Sequence, residues 1–176
     1  RTTALMSGSA YDMRMAAEIQ TGLLPREAPR VPGWEVVGCN RPCRTVGGDY
    51  YDFIELPSGR LAILLADVCG KGMPAALLAA SLHAAVRAYA PGAECDCGDL
   101  LAKVNRLLFD TTAAERFVTA FYAVYDPRDR SLTWGNAGHC PPLLLRHPYA
   151  CASALCPHGW PARSARPGSA SCLQSQ

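Results

Sequence analysis

The spacing of apolar and polar residues predicts that the chain begins with a helix and continues into strands. Between Tyr11 and Leu24 apolar side chains recur at intervals of three and four, at Met13, Ala16, Ile19 and Leu23. This spacing is typical of an amphipathic helix, which we expect to end at Pro25. Residues 25–33 hold three prolines and predict a loop, and the apolar run Trp34–Gly38 after them predicts a strand.

Two pairs of apolar runs predict two hairpins. Residues 49–56 and 61–66 flank the turn-forming residues 57–59, and residues 117–125 and 131–137 flank a second polar turn. The run 61–66 has no polar face, so we expect it to be a central strand, with neighbours on both sides.

Two helices are predicted between the hairpins. Residues 74–89 are rich in Ala and Leu and start with a proline suited to the first turn of a helix, which predicts a buried helix. Residues 99–110 carry one apolar stripe, formed by Leu100, Leu101, Val104, Leu107 and Leu108. The order of strands, two helices and further strands predicts an α+β layered sandwich and disfavours alternating βαβ units.

Composition narrows the class of protein. The 176 residues are 49% hydrophobic and 18% charged with a net charge of +2, and no apolar run approaches the length of a membrane span. Such a small charge gives no indication of nucleic acid as a partner. The nine cysteines include no CxxC pair, which disfavours a structural zinc site and favours free thiols in a reducing cytoplasm.

Two acidic residues follow or precede glycines at predicted strand ends. Asp49 comes directly after Gly47 and Gly48, and Asp67 follows the apolar run that precedes a glycine-rich loop at residues 70–72. A carboxylate leaving a buried strand requires a cation or hydrogen-bond donors, and carboxylate oxygens suit Mg²⁺ or Mn²⁺. Each segment alone also fits a simple turn, but an Asp at each of two adjacent strand ends is what a shared cation site requires.

Other side chains with catalytic chemistry favour structural interpretations. His139 could act as a base or ligand, but its setting in Asn136-Ala-Gly-His139 favours a turn at the end of a strand. His83 lies in the Ala-rich helix, which favours a packed and hydrogen-bonded histidine. Cys69 has no histidine placed beside it by the sequence, and we interpret it as a small core residue.

Five motifs in order resemble the PPM-type protein phosphatases, in the bacterial branch typified by stage II sporulation protein E. They are Ala17–Pro25 (AEIQTGLLP), Val46–Phe53 (VGGDYYDF), Ala66–Leu78 (ADVCGKGMPAALL), Phe117–Tyr122 (FVTAFY) and Asn136–His139 (NAGH). The resemblance spans about residues 10–145. It implies an α-β-β-α sandwich with a binuclear Mn²⁺ or Mg²⁺ centre.

The resemblance also implies roles for particular residues. Asp67 resembles the carboxylate that bridges the two ions, the backbone carbonyl of Val68 a further ligand, and Asp49 a ligand that binds metal directly or through water. The implied reaction is hydrolysis of a phosphoserine or phosphothreonine ester by a metal-activated water, without a covalent phosphoenzyme. The implied substrate is a phosphorylated regulatory protein of the anti-anti-sigma-factor type.

The first helix resembles a regulatory connector between an upstream sensor domain and the phosphatase domain. The residues that we assign to this connector are Glu18, Gln20, Leu23 and Leu24. Its apolar stripe leaves a homodimer through this helix open. We expect a cytoplasmic location for this chain, with membrane anchoring upstream left open.

The chain departs from the family pattern towards its end. Family members continue into a Thr-Asp-Gly motif and a later aspartate, whereas no acidic residue follows Asp129 here. We therefore expect residues 1–25 to be the connector, 26–145 a C-terminally incomplete phosphatase domain, and 146–176 an atypical, disordered tail. The alternative to an active enzyme is a catalytically inactive interaction module of the same fold.

Overall fold

A computed structural model describes residues 2–41, 45–93, 96–113, 115–146, 151–155 and 173–174. The helices are α1 (Thr2–Leu23), α2 (Met73–Tyr89) and α3 (Cys97–Thr111), with a short 3-10 turn at Ala90–Gly92. The strands are β1 (Tyr50–Glu55), β2 (Leu61–Val68), β3 (Phe117–Asp126), β4 (Ser131–Ala137), β5 (Leu143–Arg146), β6 (Cys151–Ala154) and β7 (Leu173–Gln174). This mixture of helices and antiparallel sheet confirms the α+β class.

Both predicted hairpins are present and belong to one antiparallel sheet. The strand order is β1-β2-β3-β4, with β7 paired to β3 beyond the end of β4, while β5 and β6 form a separate two-stranded sheet. Strand β2 lies between β1 and β3, which confirms its predicted central position. Its register pairs Ala66 with Tyr50 and Asp67 with Thr119, so the ends of three strands meet near residue 67.

The main core lies between this sheet and helices α2 and α3. Leu64 and Val68 of β2, Leu82 of α2, and Leu100 and Val104 of α3 are almost completely buried in it. Burying one such side chain contributes roughly 1.5–3 kcal/mol. Because side chains alternate along a strand, the inward Leu64 and Val68 leave Asp67 on the opposite face, away from the helices.

Helix α1 starts earlier than predicted, at Thr2, and ends at Leu23 close to the expected Pro25. Leu23, the last residue of the predicted stripe, packs against the main core, and so does the following Leu24. Ile19, which was also assigned to that stripe, is instead 65% exposed, because the face turned to the domain carries Gln20 at this level.

The predicted strand at Trp34–Gly38 is wrong. Residues 34–40 form no ladder and lie over the outer face of the sheet. The Trp34 ring packs on Tyr125, with ring centroids 4.8 Å apart, and Gly38 lies against the ring of Tyr51. An apolar run that is held by side-chain contacts to a sheet face does not need a strand partner, and the sequence does not distinguish the two situations.

Two strands fall within the region predicted to be a disordered tail. Strand β6 pairs with β5, and the next residue, Leu155, is 5% exposed and packs with Phe121 and Ala123 on the outer face of the sheet. Most of the predicted tail lies outside the described residues. No helix of the described residues has the length and apolarity needed to cross a bilayer.

Candidate functional site

The two acidic residues singled out in the sequence meet at the open end of the β1–β2 hairpin, opposite its turn. Asp49 directly precedes β1, Asp67 is the penultimate residue of β2, and both are exposed. Partial burial raises the pKa of Asp67, and the negative charge of Asp49 raises this pKa further. The charge of His139 lowers the pKa of Asp67, whereas a hydrogen bond with Asp49 adds to the increase. Two neighbouring carboxyl groups concentrate negative charge, which makes this end of the sheet suited to a cation.

A glycine brings the two acidic segments into contact. A Cβ atom on Gly48 would lie 2.4 Å from the carbonyl oxygen of Val68, which is closer than two such atoms can approach. The Val68 N–H donates to the Gly48 carbonyl over 3.3 Å. Only glycine can therefore hold Asp49 beside the Val68 carbonyl, the oxygen that we expected to be a ligand.

Helix α1, which is expected to be the connector, touches the same glycine loop. The Gln20 side-chain amide donates to the Gly47 carbonyl over 2.7 Å, and its oxygen accepts from the Gly47 N–H over 3.0 Å. Of the other connector residues, Glu18 is exposed, while Leu23 and Leu24 pack against the core. Of the four residues assigned to the expected connector, Gln20 is thus the one hydrogen-bonded to the loop that leads to Asp49.

His139 is held by a turn and lies beside the carboxylate pair. The turn at Gly138 is held by Asn136, whose side chain accepts from the His139 N–H at 2.8 Å and donates to its carbonyl at 3.1 Å. The His139 Nδ1 lies 3.0 Å from the hydroxyl of Thr119, the residue paired with Asp67. Burial lowers the pKa of His139, and the charges of Asp67 and Asp49 oppose that change. The turn interpretation is correct, but it missed the histidine's proximity to the acidic pair.

A buried polar cluster fixes β1 to α2, and the sequence analysis missed it. Asp52 is completely buried and accepts from Arg87 Nε and from a terminal Arg87 nitrogen, both at 2.8 Å. It also accepts from the Tyr50 hydroxyl at 2.7 Å and from the Phe53 N–H at 2.8 Å. The sequence feature that could have revealed this cluster is the alternation of side chains in β1, which turns Tyr50 and Asp52 to the same inward face.

The remaining candidates have structural roles. His83 contacts the Tyr50 hydroxyl and packs edge-on against its ring, which confirms the prediction of a packed histidine. Cys69 was predicted to be a core residue but is only half-buried, because its sulfur lies at the strand end, where it accepts from the Phe117 N–H at 3.1 Å. Cys39, Cys69, Cys97 and Cys140 are free thiols.

The donors at this site are those that hard cations prefer. Two carboxylates and one carbonyl oxygen form an oxygen donor set that suits Mg²⁺ or Mn²⁺, whereas zinc sites typically use thiolate and imidazole donors. Among the residues that the structure describes, no three His, Cys, Asp or Glu side chains are grouped to hold a metal ion. A cation site with Asp49 and Asp67 as its acidic members therefore stays a prediction.

Comparison with known proteins places this geometry in context. Residues 57–162 match the family model described as stage II sporulation protein E (SpoIIE). The chain is 31% identical over 130 residues to phosphoserine phosphatase RsbU of Bacillus subtilis (strain 168). This match covers 74% of this chain and 38% of RsbU. It is 30% identical over 160 residues to protein IcfG of Synechocystis sp. (strain ATCC 27184 / PCC 6803 / Kazusa). This match covers 76% of this chain and 25% of IcfG.

Solved structures give the same fold. A crystal structure of RsbU and RsbW domains from Mycobacterium tuberculosis matches with a TM-score of 0.57 and 27% identity, over 72% of this chain and 34% of that one. The SiaA-PP2C domain of Pseudomonas aeruginosa matches with a TM-score of 0.59 and 19% identity, over 75% of this chain and 55% of that one. The chain spans well under half the length of the curated relatives it matches.

Proposed function

Because the chain belongs to the stage II sporulation protein E family of PPM-type phosphatases, we propose that it is the phosphatase domain of a metal-dependent phosphoprotein phosphatase. It acts on phosphoserine or phosphothreonine in a regulatory protein. The observation that carries the proposal is the contact between Asp49 and Asp67 beside the Val68 carbonyl. The pair lies on the outer face of the sheet, where a phosphorylated protein segment has access.

Asp49, Asp67 and the carbonyl of Val68 are the groups that would hold Mn²⁺ or Mg²⁺, with two ions expected in an intact family domain. When bound, such ions neutralise phosphate charge and lower the pKa of the attacking water. Gly48 keeps the Val68 carbonyl uncovered on this side, since a side chain there would occupy the space in front of the oxygen. Thr119 and the Asn136 turn hold the His139 ring beside the acidic pair.

The substrate class is inferred from the relatives. RsbU is named a phosphoserine phosphatase, and a structural neighbour joins RsbU and RsbW domains. These names support a role in sigma-factor regulation, with a phosphorylated anti-anti-sigma-factor-like protein as the substrate. We expect the reaction to take place in the cytoplasm.

The α1 helix is proposed to regulate the site. Two hydrogen bonds from Gln20 fix the backbone of Gly47, two residues before Asp49. A rotation or shift of α1 imposed by an upstream sensor domain would therefore move the loop that carries Asp49. Leu23 and Leu24, which pack on the core, would act as the pivot, and Glu18 faces solvent, where an upstream domain or a second copy could contact it.

The test is phosphate release from a phosphoserine protein with Mn²⁺, comparing the wild type with Asp67→Ala. Asp110→Ala is the matched control, because Asp110 is an exposed acidic residue on α3. We expect Mn²⁺-dependent release in the wild type and the control, and a loss of at least about a hundredfold in Asp67→Ala, since one missing carboxylate leaves cation charge uncompensated. Equal rates in all three proteins would refute the proposed role of Asp67.

A second candidate is a catalytically inactive interaction module. It is favoured by the small number of grouped ligands, because among the described residues no three His, Cys, Asp or Glu side chains are placed to hold a metal ion. Calorimetry separates the two functions: absence of Mn²⁺ binding together with retained binding of an anti-anti-sigma-factor-like protein would favour the module. Mn²⁺ binding that is lost in Asp67→Ala would favour the enzyme.

A further inference from the structure

A cleft of about 220 Å³ opens directly beside the acidic pair. Asn40 and Arg41 line one wall, Asp49 and His139 line another, and Tyr51 and Leu65 contribute apolar surface. Leu65 is 37% exposed, although it belongs to the central strand of the sheet. A concave site with apolar surface and a few convergent polar groups is typical of a place where a ligand binds.

The wall that carries Arg41 is fixed to the strand that follows Asp49. The Asn40 side chain donates to the backbone carbonyl of Asp49 over 3.0 Å. Two residues earlier, a Cβ on Gly38 would lie 2.2 Å from the Tyr51 ring, so the backbone runs in close contact with that ring. These two contacts set the position of Arg41 relative to Asp49 without using the Arg41 side chain.

Among the described residues, no salt bridge balances the charge of Arg41. Arg41 itself is exposed. A guanidinium group presents a planar fork of donors that matches the oxygens of phosphate or carboxylate. An arginine in a cleft that is also lined by Asp49, one of the proposed cation ligands, is therefore placed to meet an anion that enters the cleft.

We propose that Arg41 binds an anionic group of the phosphoprotein substrate in this cleft and so determines which substrates the site accepts. The group is an oxyanion, supplied either by the phosphoryl group or by an acidic residue next to the phosphoserine. The apolar surface of Tyr51 and Leu65 then receives the side chain beside it. This inference rests on the proposed phosphatase function.

The experiment compares three substrates in the presence of Mn²⁺. p-Nitrophenyl phosphate offers the phosphoryl group alone, and two phosphoserine peptides differ only in having Glu or Gln beside the phosphoserine. The variants are Arg41→Ala and Arg41→Lys, with Arg106→Ala as the control because Arg106 is an exposed arginine on α3. The melting temperature and the Mn²⁺ dissociation constant of each variant are measured as well.

We expect Arg41→Ala to lower kcat/KM at least about tenfold, because a charge-assisted hydrogen bond is lost, with Mn²⁺ affinity and melting temperature unchanged. A loss on all three substrates identifies the phosphoryl group as the partner, and a loss confined to the Glu peptide identifies the flanking carboxylate. Arg41→Lys should recover part of the loss, since it keeps the charge without the fork. The inference is overturned if Arg41→Ala equals Arg106→Ala on every substrate, or if its effect is explained by weaker Mn²⁺ binding.

Failure of the proposed function can be distinguished from failure of this inference. If the wild type shows no turnover at all, the proposed function fails, and fluorescence anisotropy with the labelled Glu phosphopeptide then decides the role of Arg41. Weaker peptide binding in Arg41→Ala than in Arg106→Ala supports the inference. Equal binding, or no binding by the wild type, overturns it.

Discussion

Removing the carboxylate of Asp52 should destabilise the domain more than any other single change to its polar residues that we consider. Asp52 is completely buried, and it accepts hydrogen bonds from Arg87, from the Tyr50 hydroxyl and from the Phe53 N–H. In Asp52→Ala the Arg87 guanidinium and the Tyr50 hydroxyl both lose this acceptor. The ion pair between β1 and α2 is lost as well.

The size of the effect follows from burial. Removing one partner of a buried ion pair typically costs about 3–5 kcal/mol. The Arg87 side chain is 46% exposed, so water can solvate part of the charge that is left behind. We therefore expect the low end, about 3 kcal/mol, which for a domain of this size corresponds to a fall in melting temperature of roughly 6–12 °C.

The assay is thermal unfolding followed by circular dichroism, with urea unfolding as a second measurement of the free energy. Lys103→Ala is the control, because it removes an exposed ion pair with Asp99, for which a much smaller change is expected. Asp52→Asn should fall between Asp52→Ala and the wild type, since the amide oxygen can still accept from Arg87. A shift in Asp52→Ala no larger than that in Lys103→Ala would refute the reasoning that this cluster holds β1 to α2.

Three further predictions concern the site and its surroundings. Gly48→Ala should weaken Mn²⁺ binding about tenfold or more, because its Cβ would be 2.4 Å from the Val68 carbonyl; unchanged binding by calorimetry would contradict this. Gln20→Ala should lower the free energy of unfolding by about 1–3 kcal/mol, because two hydrogen bonds to Gly47 are lost. It should also reduce the rate of phosphate release, and an unchanged rate of release would argue against the connector role. Burial lowers the pKa of His83 below its usual 6.5, so the folded state disfavours its protonation and stability should fall as the pH drops below that value. The slope of melting temperature against pH between about pH 7 and pH 5.5 should be shallower in His83→Gln, and equal slopes would contradict this interpretation.

Local patterns were sufficient to predict the elements whose neighbours lie close in sequence. Both hairpins follow from alternation around short turns, and α2 and α3 follow from their apolar periodicity and uninterrupted length. The central position of β2 followed from its lack of a polar face. These features are encoded within a few residues of one another.

Contacts between distant segments could not be predicted in the same way. The strand expected at Trp34–Gly38 is absent, because its aromatic residue packs on Tyr125, which is far away in the sequence. The pairing of Asp52 with Arg87 spans 35 residues and depends on how α2 lies across β1. Residues 151–154 form a strand only because β5 provides a partner for them, and their composition does not indicate one.

The candidate site could be predicted from the sequence only in part. Asp49 and Asp67 were found because glycines and strand ends mark them, and the resemblance to the family strengthened the choice. The sequence did not indicate that His139 would lie against them, because the Thr119 contact that orients its ring follows from the register between β2 and β3.

The central claim is that Asp49 and Asp67 form a cation site, and titration of Mn²⁺ into the protein tests it most directly. Electron paramagnetic resonance measures free Mn²⁺, so binding can be followed without a substrate. We expect the wild type and Lys103→Ala to bind Mn²⁺ equally and Asp67→Asn to bind at least about tenfold more weakly, since a charged ligand is lost. Equal Mn²⁺ binding by all three proteins would contradict the claim.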